Sequence, residues 1–176
     1  TNVPLAKIAA QLSVGQKLKN YNLPKWDSIN HVSIKEAVLP FNKFPAESIF
    51  LSPEMKSTGE VMGISENFGL SFYKATLSAG MKLPDSGLVF ISVNNEDKFK
   101  IISIARAFKE LGFNIVATEG TAKELIKNGM SAETVYKAGE GRPNIVDRIK
   151  NNEIDLVINT PLGAQSRYDE EAIGKA

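Results

Sequence analysis

Gly87-Leu88-Val89-Phe90-Ile91-Ser92-Val93-Asn94-Asn95-Glu96-Asp97-Lys98 is the stretch that decides how this chain folds. Residues 88–93 are an almost unbroken apolar run, as expected of a strand buried on both faces, not one alternating between core and water. Polar residues then end the run. Residues 97–111 place Ile101, Ile104, Ala105, Phe108 and Leu111 on one helical stripe, with Gly112 as the stop. The pattern recurs downstream. Residues 113–118 predict a second strand, 122–127 a short helix ended by Gly129, and 134–136 a third strand. A helix over 144–151, a fourth strand over 154–160 and a helix from Ser166 onward complete the series. Strands and helices alternating at this spacing predict right-handed β-α-β crossovers and a parallel sheet, hence an α/β fold.

Upstream the organisation differs. Leu5, Ile8, Ala9 and Leu12 lie at helical spacing behind Pro4, and residues 20–30 read as loop. Val32, Ile34 and Ala37-Val38-Leu39 predict short strands broken by Pro40 and Pro45. A helix is expected over 65–79, with Phe68, Phe72, Ala75 and Ala79 on its inner side and Gly80 after its end. Within residues 53–63, Ser57-x-x-Glu60 fits a capping box at a helix start. Lys82-Leu83-Pro84-Asp85-Ser86-Gly87 is turn-rich, and the domain boundary is expected there.

The chain has 176 residues, 43% hydrophobic and 23% charged, with a net charge of +1. That suits one ordinary domain, or a small domain with a remnant. A near-neutral balance gives no electrostatic reason to expect nucleic acid or a membrane surface as partner. Cysteine is absent and His31 is the single histidine, which removes thiolate and multi-histidine metal sites and leaves little room for a Ser-His triad. No window approaches the roughly 18 apolar residues of a membrane span, and no secretion signal is legible, so a cytoplasmic location is the expectation. The chain starts at Thr1 inside a helix-start pattern and stops at Ala176 inside an amphipathic one, so both ends read as cut.

In a parallel sheet, ligands meet the loops where strands end and helices begin, since free helix amides and the dipole favour an anion. Four loops qualify: residues 94–98, 117–122, 136–143 and 159–163. Together they bring Lys98, Thr118, Thr121, Lys137 and Asn159 to one sheet edge, a set suited to a phosphate. Taken singly, hydroxyls and glycines there serve as helix caps, and a surface lysine is simply solvated.

Residues 87–160 resemble the methylglyoxal-synthase-like domain at the C-terminus of the carbamoyl-phosphate synthase large subunit. The resemblance rests on Val116-Ala117-Thr118-Glu119-Gly120-Thr121, Glu140-Gly141-Arg142-Pro143-Asn144-Ile145, Asp147-Arg148-Ile149 and Ile158-Asn159-Thr160-Pro161-x-Gly163. Residues 38–45 (Val38-Leu39-Pro40-Phe41-Asn42-Lys43-Phe44-Pro45) and 53–63 resemble the end of that subunit's second ATP-grasp unit. The resemblance implies a Rossmann-like parallel sheet with flanking helices, preceded by an incomplete α+β ATP-grasp remnant. It divides the chain into an ATP-grasp remnant over 1–64, a helix and linker over 65–86, and a C-terminally truncated regulatory domain over 87–176.

Several expectations follow from the resemblance alone. The parent is a ligase making carbamoyl phosphate from bicarbonate, glutamine-derived ammonia and two ATP, for pyrimidine and arginine synthesis. It uses ATP with magnesium or manganese. None of these is expected on the fragment itself, which carries no catalytic residue and no metal ligand. The partners implied are the glutamine amidotransferase small subunit and the rest of the large subunit. Uridine monophosphate is the family's inhibitory effector and, in some members, inosine monophosphate an activator. The matching pocket positions are Ser92, Lys98, Thr118, Thr121, Lys137, Asn159 and Thr160. Some members carry a second threonine where this chain has Pro161, which lacks both the hydroxyl and the N–H. Glu36 and Leu39 match part of the family's ornithine site, whose remaining contacts would fall elsewhere.

Three rivals share the fold or the chemistry. A methylglyoxal synthase needs a carboxylate base beside a carbonyl, and the closest position here is Arg142, which cannot act as one. A stand-alone nucleotide-binding module leaves residues 1–64 unexplained. The cyclohydrolase domain of purine synthesis is opposed by residues 53–63.

Overall fold

A computed structural model describes residues 3–25, 29–39 and 59–176. Residues 40–45 and 53–58 of the motifs above, including Ser57, lie outside the described residues. Contacts divide the chain into two compact units, one ending at Lys82 and one running on from Leu83 to Ala176.

In the first unit, α1 (Leu5–Ser13) is followed by a 3-10 turn at Leu18–Asn20. The segments expected as short strands form one strand, β1 (Val32–Val38), which pairs antiparallel with β2 (Gly59–Ser65) so that Ile34 faces Gly63 and Glu36 faces Val61. This corrects the capping-box expectation. Glu60 lies within β2, its carboxylate 2.6 Å from Lys35 on the solvent side of the hairpin. Residues 59–65 alternate between covered and open faces, and the pattern is masked in sequence because Gly63 occupies a covered position.

Helix α2 (Phe68–Ser78) packs on that covered face. Asn67 caps it, its Oδ1 accepting the Leu70 N–H at 2.9 Å, so the helix starts later than expected and Ser65 belongs to β2. The buried side chains are Ser71, Ala75 and Thr76; Phe68 and Phe72 are exposed and stack at 6.0 Å between ring centroids. Close approach decides this: the strand backbone at Gly63 comes so near that only small residues fit. The Ser71 hydroxyl donates to Val32 O and lies beside Ser65 Oγ, both at 2.8 Å, tying helix to hairpin.

The second unit is a four-stranded sheet in the order β5-β4-β3-β6. Its strands are β3 (Leu88–Val93), β4 (Asn114–Thr118), β5 (Glu133–Val135) and β6 (Leu156–Thr160), paired parallel throughout. Between and after them lie α3 (Lys98–Glu110), α4 (Glu119–Lys127), α5 (Ile145–Lys150) and α6 (Ala164–Gly174). Both faces of β3 are buried, as the apolar run implies. Val89 and Ile91 pack with Ile101, Ala105, Ala122 and Leu125 on the face of α3 and α4. Phe90 packs with Val116, Val135 and Ile145 on the face of α5, where Ile173 of α6 also contributes. Each of the fully buried Val, Leu, Ile and Phe side chains contributes about 1.5–3 kcal/mol. The predicted stripe of α3 is narrower than expected: Ile101 and Ala105 are buried, but Ile104 and Leu111 are exposed. The entry to β3 is clamped by Asp155, whose Oδ2 accepts the Leu88 N–H at 2.7 Å. Gly87 has φ +119°, and a Cβ there would meet that same oxygen at 2.0 Å.

Candidate functional site

The strand order reverses direction at β3: the chain moves outward through β4 and β5, then returns to place β6 on the other side. Such a switch point opens a crevice at the carboxyl ends of the strands. Here the crevice is a cleft of about 300 Å³. Ser92, Lys98, Thr118, Thr121, Lys137, Asn159 and Thr160 all line it, so the seven positions marked in the sequence are brought together. Register explains part of this, since Ser92 pairs with Asn159 and Val93 with Thr160.

The hydroxyls are set for an acceptor-rich ligand. Thr118 and Thr121 are 5% and 1% exposed, yet the Thr118 hydroxyl reaches Ser92 Oγ and Thr121 Oγ1 only at 3.4 Å. That exceeds the ordinary O–H···O separation of roughly 2.5–3.0 Å. Buried hydroxyls with such long contacts retain hydrogen-bonding capacity for a ligand oxygen. Thr118 is also the N-cap of α4 but makes no side-chain cap, which leaves the first amides of that helix uncapped beside the cleft.

Lys98 supplies the charge. It is half-buried at the first position of α3, and a Cβ on Gly120 would sit 3.3 Å from its Nζ, so the ammonium lies over the glycine in the first turn of α4. Among the described residues it makes no ion pair. Lys137 reaches the cleft from beyond β5, with Nζ 3.9 Å from Glu140 Oε1.

Two contributors were missed in the sequence. Asn94 Nδ2 donates to Thr160 O and Oγ1 at 3.2 Å and to Asp97 Oδ2 at 2.8 Å, while its Oδ1 accepts the Glu96 N–H at 2.8 Å. It thereby locks the loop after β3 to the end of β6. Hydrogen bonds from Lys100 and then Asn94 hold the Asp97 carboxyl below its usual range. Asp169, inside α6, also lines the cleft. Burial pushes its carboxyl up, Lys137 draws it down, and Glu140 raises it. No loop signature marks a residue so far past a strand end.

The loop carrying Lys137 hangs on Asn144, which is 5% exposed. Asn144 Nδ2 donates to Ala138 O at 3.2 Å and Gly141 O at 3.1 Å, and its Oδ1 accepts the Val146 and Asp147 N–H groups. Asp147 Oδ2 in turn accepts the Asn144 N–H at 3.0 Å, completing a capping box. Asn144→Ala is expected to cost about 2–4 kcal/mol, one lost cap plus buried carbonyls left without donors. Chemical denaturation of the purified chain would measure it, and a loss below about 1 kcal/mol would contradict the anchoring role.

Glu36 sits half-buried on the hairpin face that α2 covers, and Leu39 follows directly after β1. Among the described residues no group of three or more His, Asp and Glu could hold a metal, and no helix is long and apolar enough to cross a membrane.

Residues 100–176 match the family described as MGS-like domain. Over all of its length the chain is 53% identical to the carbamoyl phosphate synthase large chain of Acidobacterium capsulatum, covering 17% of that protein. It is 52% identical, again over all of its length, to the large chain of Archaeoglobus fulgidus, covering 16% of it. The carbamoyl phosphate synthase large chain, C-terminal section, of Aquifex aeolicus is 47% identical over 98% of this chain, which covers 35% of that protein. The chain therefore spans about a sixth of the length of the full-length relatives it matches.

Proposed function

The chain belongs with the carbamoyl phosphate synthase large chains, and on that premise we propose that its second unit is an allosteric domain binding a ribonucleoside monophosphate. Uridine monophosphate is the ligand that fits the reading best. Its phosphate lies against Lys98, the Thr118 and Thr121 hydroxyls and the first amides of α4, with Lys137 as a second cation. Asn159, Thr160 and Asp169 face the ribose hydroxyls. The observation that carries this is the ammonium of half-buried Lys98 over Gly120, beside buried hydroxyls with only long contacts.

The first unit, in this reading, is the closing piece of the second ATP-grasp unit, divided from the regulatory domain as the sequence motifs suggest. Glu36 and Leu39 are the remnant of an ornithine site. Turnover of ATP with magnesium, contact with the glutamine amidotransferase subunit and a cytoplasmic setting belong to the longer protein, and the 176-residue chain alone is inactive. The lyase alternative gains no support at Arg142, whose side chain is 84% exposed and lies outside the cleft lining.

Calorimetric titration of the 176-residue chain with uridine and inosine monophosphates tests the reading. Uridine monophosphate is expected to bind, and inosine monophosphate more weakly, because Pro161 offers neither hydroxyl nor N–H to the cleft. Lys137→Ala is expected to weaken uridine monophosphate by about tenfold, the low end for a charge-assisted hydrogen bond. Equal affinity in wild type and variant would remove Lys137 from the site, and no binding of either nucleotide would sink the reading.

A further inference from the structure

The two lysines of the cleft are not equivalent. Lys98 has no ion pair among the described residues, whereas Lys137 already has an anionic neighbour. Glu140 Oε1 lies 3.9 Å from Lys137 Nζ, and Oε2 of the same carboxylate accepts the Lys137 N–H at 3.2 Å. The turn is closed from the other side by the Glu140 N–H, which donates to Lys137 O at 3.2 Å. Glu140 is thus fixed by the backbone of the residue whose ammonium it attracts.

Its position relative to the cleft matters as much. Glu140 does not line the anion cleft; it lines a separate, larger hollow of about 870 Å³ along the edge strand β5, together with Tyr136 and Arg148. The turn at 137–141 therefore lies between the cleft, which Lys137 lines, and the hollow, which Glu140 lines. Asn144 holds that turn through Ala138 O and Gly141 O.

An anion entering the cleft meets Lys137 with its charge already half-committed. Because the pair is solvent-exposed and 3.9 Å long, the commitment is weak enough for a dianion to break. Yet the carboxylate cannot retreat far, since the Lys137 N–H holds it. We infer that Glu140 is an affinity-setting residue of the anion cleft, competing with the bound phosphate for Lys137 and weakening the site. This rests on the reading of the cleft as a phosphate-monoester site, and it assigns Glu140 a function opposite in sign to that of a ligand-binding residue. Its carboxylate costs affinity and keeps binding reversible, because it stays beside the ammonium while the phosphate is bound.

Glu140→Gln separates charge from geometry, because the carboxamide oxygen can still accept the Lys137 N–H while the competing charge is gone. Uridine monophosphate is expected to bind Glu140→Gln roughly threefold to tenfold more tightly than wild type at low salt, the scale of one removed charge near a dianion in partly screened surroundings. The gain should vanish in the Lys137→Ala background, since the competition is for that ammonium. Glu140→Ala, which also loses the turn-closing acceptor, controls for a purely structural role; that role alone would weaken binding in the alanine variant and leave the glutamine variant unchanged. Unchanged or weaker binding by Glu140→Gln, or a gain that persists without Lys137, overturns the inference. If wild type and every variant fail to bind uridine monophosphate or inorganic phosphate, the phosphate-site reading falls and this inference with it, a result distinct from both.

Discussion

Lys98→Ala is expected to weaken uridine monophosphate binding by about tenfold to more than a hundredfold, the largest effect of any single change in the cleft. A hydrogen bond to a charged group is worth roughly 1.5–3 kcal/mol, and each 1.4 kcal/mol is a factor of ten. Lys98 should sit at the upper end of that range for two reasons. Lys98 is half-buried as a residue, so solvent screens it less than a fully exposed lysine. It also gives up no carboxylate partner among the described residues to engage a ligand, unlike Lys137 beside Glu140. Isothermal calorimetry at fixed ionic strength gives the number, and a loss under threefold would mean that the phosphate does not reach Lys98. The same variant should fold normally, because removing a half-buried charge without an ion pair takes away no counter-ion contact.

Gly63→Ala is expected to destabilise the first unit by about 3 kcal/mol or more, at the upper end for overpacking. The added Cβ would lie 2.0 Å from Ser71 O and 2.5 Å from Ala75 N. Both are backbone atoms of α2, so no side chain can rotate aside and the helix itself must withdraw. Withdrawal would stretch the Ser71 hydroxyl from Val32 O, now at 2.8 Å, and open the buried face at Ala75. Hydrogen exchange resolved by residue can read this out. Amides of β1 and β2 should lose protection while those of β3 keep theirs, and unchanged protection in the hairpin would refute the packing account.

The parallel sheet was legible because a strand buried on both faces needs an apolar run, and residues 88–93 provide one without interruption by charge. Given a parallel sheet, strand ends share an edge, so the sequence alone groups Lys98, Thr118, Thr121 and Asn159. What local pattern could not reveal was tertiary. The place of β6 beside β3 is set by a crossover, not by any residue within either strand. Asp169 reaches the cleft because α6 turns back over it, and its helical neighbours look like those of any solvated carboxylate. In the first unit the error ran the other way. Hydrophobicity places Phe68 and Phe72 on the inner face, but the approach of backbone at Gly63 selects Ser71 and Ala75 instead. A glycine chosen for what must lie against it resembles, in sequence, a glycine chosen for a turn.

The pairing of β3 with β6 has a consequence in time. Residues 89–93 find their partners at 156–160, so the contact closes a loop of more than sixty residues, a longer closure than that joining β3 to β4. Asn94 cannot take its place until Thr160 arrives to accept its donors. During synthesis the cleft would be complete only once β6 brings Asn159 and Thr160 to the edge that β3, β4 and their helices already form. A nucleotide that binds the finished cleft then stabilises, by mass action, the long-range pairing of β3 with β6 on which the cleft depends. Under the proposed reading, nucleotide concentration would thus influence the lifetime of the domain.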